Sequence, residues 1–250
     1  MKRFVCILLS ILLCVLQLAS CTAPKEELPL VIVGNEDPPI TLGKENSYVI
    51  YVKGKPIEAY DLPQVSDKGD GWGDPGDYEY RTPNNTPLSV LEKMAADKKG
   101  AILRIKVNRL YQDEVFEEAW SSDKYYCYAE VTVEVVYANF SDKEIKVGDT
   151  FPTKQHHTVI QPKDGEAYLF NYAGSQPLRP GFSYIYFSQE SYAEGELQSL
   201  NAYMHDVGVF ELSSKESRES FSLAGKDRYW GYLSPLATEV FQKYAPSILE

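Results

Sequence analysis

Positive charge is scarce in this 250-residue chain, where 25 Lys and Arg face 36 Asp and Glu for a formal net charge of −11. Nucleic-acid binding draws much of its affinity from cations set against phosphates, so no nucleic-acid partner is expected. The same shortage argues against electrostatic adhesion to anionic lipid. Cysteine is scarcer still. Cys6, Cys14 and Cys21 fall at the start, and Cys127 is the only one beyond them. The chain after residue 21 therefore has no internal disulfide to form, and its stability must come from buried apolar surface. Histidine is limited to His156, His157 and His205. Neighbouring residues on a strand point to opposite faces, so His156 and His157 could share a metal only across a turn, and zinc would need carboxylates as well. They read as surface loop histidines, and no metal or other cofactor is expected.

Catalytic signatures are missing too. The chain has no Gly-x-Ser-x-Gly, no His-Glu-x-x-His, no Gly-x-x-x-x-Gly-Lys and no Cys-x-x-Cys. A lone Ser-x-x-Lys match at Ser121 to Lys124 falls in a polar turn without the companion motifs of penicillin-binding enzymes. Cys127 lies among apolar positions of a strand pattern and reads as a small core residue rather than a nucleophile.

What is present starts at the N-terminus. Lys2 and Arg3 precede an apolar run from Phe4 to Leu16, which is followed by Leu18-Ala19-Ser20-Cys21. The run is shorter than the ~20 residues a membrane-spanning helix requires. A basic start, an apolar stretch and small residues before a cysteine resemble the precursors of bacterial lipoproteins, with Leu18 to Cys21 as the lipobox. The resemblance implies cleavage of signal peptide 1–20, lipidation of Cys21 with acyl chains such as palmitate, and a membrane partner held through that anchor. The location implied is the extracytoplasmic face of the cell membrane, or the outer membrane in a Gram-negative host. Several acyl chains anchor persistently where one does not. Loss of Lys2 and Arg3 lowers the formal charge to −13.

The organisation expected after the signal is a polar tether at 21–27, a short β segment at 28–63, a Gly/Asp/Pro-rich linker at 64–86 and a β-barrel-like domain at 87–250. The β segment holds apolar bursts at Leu30–Val33 and Tyr48–Val52. The linker carries Asp67, Asp70, Asp74 and Asp77 among glycines. Their spacing is not that of an EF-hand loop, so a solvated linker is expected rather than a calcium site.

The last part is mainly β. Thr86-Pro87 reads as a cap with proline at the first helical position, and Leu88, Leu91, Met94 and Ala95 follow at helical spacing, which predicts a leading helix over about 87–99. Strand patterns are read at Ala101–Leu110, Tyr125–Tyr137, Glu144–Val147, Ala167–Tyr172, Phe182–Ser188 and Val207–Leu212. In the second of these, Cys127, Ala129, Val131, Val133 and Val135 alternate with Tyr126, Tyr128, Glu130, Thr132 and Glu134. Ser234-Pro235 starts a C-terminal helix over about 235–245, with Leu236, Val240, Phe241 and Tyr244 as its apolar face. Together these predict a small antiparallel barrel or sandwich. Residues 87–92, 102–107, 180–187 and 208–212 resemble uncharacterised exported proteins of Gram-positive bacteria with a predicted OB-like barrel, a resemblance that implies a fold and no activity.

Tyrosine is abundant, with 19 against 10 Phe and 3 Trp. Strand propensity and half-burial account for most of them. Tyr126 and Tyr128, on the outward side of the clearest strand, and Trp72, between glycines in the linker, are the candidate ligand-binding residues. The expected function is a non-catalytic, lipid-anchored binding or scaffolding domain for an envelope glycan or protein. The alternative is an envelope hydrolase acting on glycan or peptide through a pair of carboxylates.

Overall fold

The computed structural model describes residues 43, 48–67, 87–118, 126–155, 157–172, 178–193, 196–202, 208–213 and 235–249. All of them belong to one compact unit spanning 31–250. Cys21, Leu30–Val33, Trp72, Asp70, Asp74, Asp77, Ser121–Lys124, His156 and His205 lie outside the described residues.

Eleven strands and two α-helices are described. In chain order they are β1 (Val49–Val52), β2 (Lys55–Glu58), β3 (Gln64–Asp67), α1 (Leu88–Asp97), β4 (Ala101–Gln112), β5 (Cys127–Asn139), β6 (Thr150–Gln155), β7 (His157–Ile160), β8 (Tyr168–Tyr172), β9 (Ser183–Ala193), β10 (Glu196–Ala202), β11 (Val209–Leu212) and α2 (Pro235–Tyr244). The fold is mainly β, sandwich-like, with one helix before the main strands and one after them.

The centre is β4. It pairs antiparallel with β5 and β9, and parallel with β1. β5 continues to β6, while β9 carries both β10 and β11. A second sheet, β3-β8-β7, has β3 parallel to β8, so the sheets are mixed rather than purely antiparallel. Among the described strands the main sheet does not close into a barrel. β6 and β10 approach one another without ladder pairing, and side chains bridge the gap. Asn201 Oδ1 accepts from the Lys154 N–H at 3.1 Å, and the Tyr186 hydroxyl lies 2.5 Å from Thr153 Oγ1 and 3.1 Å from the Leu200 carbonyl.

Two apolar cores lie on opposite sides of this sheet. One gathers Tyr48, directly before β1, with Ile50, Leu103, Ile105, Val107, Cys127, Ala129, Val131, Val133 and Tyr184 from the strands. The other packs Leu91 and Ala95 of α1, and Leu236, Val240, Phe241 and Tyr244 of α2, against Ile102, Ile185, Phe187 and Phe210. The predicted apolar face of the C-terminal helix is therefore the buried one.

Several local expectations are corrected. Val135 does not share a side with Val133. Register shifts where Arg104 pairs with Val135 and Ile105 with Val133, leaving Glu134 as an extra residue. Such a bulge reverses the alternation beyond it, so Val135 enters the helix-side core. Glu144–Val147 is not a strand. Lys146 N–H donates to Asp149 Oδ2 at 2.8 Å and Gly148 takes a φ of +91°, a turn that delays the strand to Thr150. The expected linker gives up its first four residues, because Gln64–Asp67 is held as β3 by β8. The antiparallel hairpin of β1 and β2 was not read from the sequence. It turns at Lys53 and Gly54, whose φ values of 46° and 77° are both left-handed, as tight two-residue hairpins require.

The helix boundaries also move. Helix α1 begins after Pro87, which occupies the N-cap position itself with no side-chain cap bond. The backbone N–H of Leu88 instead points to Glu239 Oε2 of α2 at 3.4 Å. At the other end Lys99 adopts φ +51° and the Gly100 N–H returns to the Ala95 carbonyl at 2.8 Å, closing the helix as a Schellman turn does. Glycine is required at 100 by proximity. A Cβ there would lie 1.8 Å from the Ser188 carbonyl oxygen of β9.

His157 also departs from the expectation. It is a β7 residue with 1% exposure, its ring edge-on to Tyr48 at 6.3 Å, and not a surface loop residue. The apolar burial of the whole strand overrides the polarity of this one side chain.

Candidate binding face

Ile50, Val52, Leu110, Cys127 and Ala129 all point into the strand-side core. Alternation therefore turns Tyr51, Tyr111 and Tyr128 to the other side of the sheet. Pairing then lines them up. Pro56, Tyr51, Tyr111, Tyr128 and Lys154 are successive cross-strand partners on β2, β1, β4, β5 and β6. This row lies on the side of the sheet that carries the helices, at the end away from the Ile102 contacts with them.

The boundary is an ion pair. Arg104 Nε donates to Glu134 Oε2 at 2.9 Å, with the arginine side chain 2% exposed. Past it the face is half-buried or open. Tyr51 is 38% exposed and Tyr111, Tyr126 and Tyr128 are intermediate.

The side chains of the row support one another. The rings of Tyr111 and Tyr128 stack at 5.5 Å, Tyr126 meets Tyr128 edge-on at 5.2 Å, the Lys154 ammonium sits 4.4 Å from the Tyr126 ring centre, and the Arg109 guanidinium lies 5.4 Å from that of Tyr111. Arg109 is also paired with Glu130 at 2.9 Å, and Asn108 Nδ2 donates to Thr132 Oγ1 at 2.8 Å. The faces of Tyr111 are thus largely occupied, and what it offers outward is its edge and hydroxyl.

Burial raises the pKa of Tyr111, with Asp113 and Glu130 adding to it. Burial also raises that of Tyr128, reinforced by its hydrogen bond with Tyr126. Both phenols stay neutral at ordinary pH and act as hydrogen-bonding groups rather than as bases. Cys127 beneath them is fully buried, and burial pushes its thiol up, away from thiolate chemistry.

The two predicted tyrosines, Tyr126 and Tyr128, are brought together here. Trp72 and Cys21 lie outside the described residues. Tyr51, Tyr111, Arg109 and Lys154 were not predicted, because their meeting depends on register across four strands. The alternation around Tyr51 and Tyr111 was the only readable sign.

Three largely buried carboxylates are held by cations. Glu211 pairs with Arg179, Glu134 with Arg104 and Glu92 with Lys243. Among the described residues no three His, Cys, Asp or Glu converge as metal ligands. No protein-family model, curated protein or solved structure matches this chain.

Proposed function

We propose that this chain is a non-catalytic binding or scaffolding domain, anchored by lipid on Cys21 at the extracytoplasmic face of a bacterial membrane, that holds an envelope glycan or protein against its tyrosine face. The lipobox supports the anchor. The binding role rests on one observation, the row of Tyr51, Tyr111, Tyr128 and Lys154 on consecutive strands of a partly open sheet face. Rings with polar tips and pre-arranged polar neighbours lose little conformational freedom on contact, which favours recognition.

Two comparisons test this. Wild type should sediment with membranes and Cys21→Ala should not, since several acyl chains are needed for lasting attachment. The exported Cys21→Ala protein should be retained by isolated envelope material, and adding Tyr51→Ala and Tyr128→Ala should abolish retention while circular dichroism stays unchanged. Equal membrane fractions would overturn the anchor, and retention indifferent to the tyrosines would overturn the binding face.

A further inference from the structure

We infer that the ligand of this face is a neutral glycan chain lying across the strands. The inference rests on the binding reading above and adds the chemical class and direction of the ligand.

Direction follows from register. The row crosses β1, β4, β5 and β6 at right angles to the strands, with a step of ~4.8 Å from strand to strand. That step is comparable with the advance of an extended glycan by one sugar unit. An extended peptide recognised by a sheet runs parallel to an edge strand and uses its free backbone groups. Tyr51, Tyr111 and Tyr128 are interior to the paired strands, since β1, β4 and β5 each have a neighbour on both sides there, and only Lys154 lies on an edge strand, β6. A peptide following the row would have no ladder to join.

Class follows from charge and shape. Two cations of the face are engaged, Arg109 with Glu130 and the Tyr111 ring, Lys154 with the Tyr126 ring, while Lys106 on the same side of β4 is half-buried. The chain as a whole carries −11, which repels polyanions. What remains for a ligand is a set of planar polar groups fixed by mutual hydrogen bonds, Arg109–Glu130 and Asn108–Thr132, beside phenol hydroxyls and the exposed Tyr51 ring. Planar donors and acceptors suit adjacent sugar hydroxyls, and a ring suits the apolar face of a pyranose. A purely apolar partner would have to strip water from these polar groups without replacing their bonds.

The test uses the exported Cys21→Ala protein and neutral gluco- and chito-oligosaccharides of increasing length, with polygalacturonate and a proline-rich peptide alongside, read by calorimetry and by competition for envelope retention. At least one neutral series should bind and compete, with affinity rising roughly 2- to 10-fold for each further sugar that meets a phenol hydroxyl or the Tyr51 ring until the row is spanned. Tyr51→Ala should remove the last such increment. Tyr128→Phe, which keeps the ring and deletes the hydroxyl, should weaken binding without affecting the fold. If no neutral series competes while tyrosine-dependent retention persists, or if only the polyanion or the peptide competes, the glycan is overturned and the binding face stands. Retention independent of the tyrosines overturns both.

Discussion

Arg179 and Glu211 form an ion pair in the interior, with side chains 1% and 2% exposed and Arg179 Nε donating to Glu211 Oε2 at 2.8 Å. A second guanidinium nitrogen reaches Oε1, the Phe182 ring lies 3.8 Å from the guanidinium carbon, and the hydroxyls of Tyr184 and Ser213 also donate to the carboxylate. Tyr184 in turn accepts the Arg179 backbone N–H at 2.7 Å, so this cluster ties the segment before β9 to β11. Removing one partner strands a buried charge. Arg179→Met or Glu211→Leu alone should cost about 3–5 kcal/mol, whereas the double variant should lose less than the two single losses combined. Urea melts of the four proteins check this, and strictly additive losses would show that the pair is not coupled.

Gln112 joins the two sheets by imitating a strand. Its Nε2 donates to the Val159 carbonyl at 3.1 Å and its Oε1 accepts the Val159 N–H at 3.2 Å, both in the interior. Gln112→Leu keeps the volume and leaves both backbone groups of Val159 without these partners. A loss of roughly 1–3 kcal/mol for each unsatisfied group is expected. Hydrogen exchange should locate the loosening in β7 and β8, and uniform protection across the sheets would argue against a link at this point.

Tyr244 makes the helix-side core sensitive to alkali. Burial raises its pKa, and its hydrogen bond to Glu92 and the charge of that carboxylate raise it further. The folded chain therefore holds this proton beyond the unfolded value of about 10. Stability from the group is complete below that value and falls as pH rises from it towards the folded pKa. Unfolding free energies measured on either side of pH ~10 should show this decline. Tyr244→Phe should flatten it, at the cost of the Glu92 hydrogen bond at neutral pH.

Gly100 tests the packing of α1 on β9. Gly100→Ala would force a Cβ against the Ser188 carbonyl, with the Ser188 C at 2.5 Å and Gln189 Cα at 3.0 Å behind it, all backbone that must shift. Overpacking of this kind costs typically about 1–3 kcal/mol. Gly54→Ala, with nothing within 4 Å but a φ of +77°, should be penalised by backbone strain alone. A Gly100 variant as stable as wild type would mean that the helix can move away from the strand.

Much of the local structure was legible because its causes are local. Helix α2 announces itself through Pro235 and the 3.6-residue spacing of Leu236, Val240, Phe241 and Tyr244. The strand around Val131 does so by alternation, and Val131 and Val133 are buried while Thr132 is only partly so. Where alternation failed, a bulge intervened. Glu134 is an extra residue only because β4 fits β5 with a shift at that point, a property of the pair rather than of either strand. The burial of His157 has a similar cause, since it comes from elements distant in the chain such as Tyr48.

The amino-acid sequence by itself determined the class of this protein: mainly β, acidic, with two helices that each carry an apolar face and a lipobox-like start. Spacing, propensity and composition act over a few residues, and they need no partner to be read. The tertiary structure decided which tyrosines meet. Tyr51, Tyr111 and Tyr128 come from strands separated by a hairpin, a helix and long connections, and they share a row only in the register that the bulges and the parallel β1–β4 pairing select. That selection is made by which apolar side chains can be buried together, a choice among long-range pairings that carries no local signature.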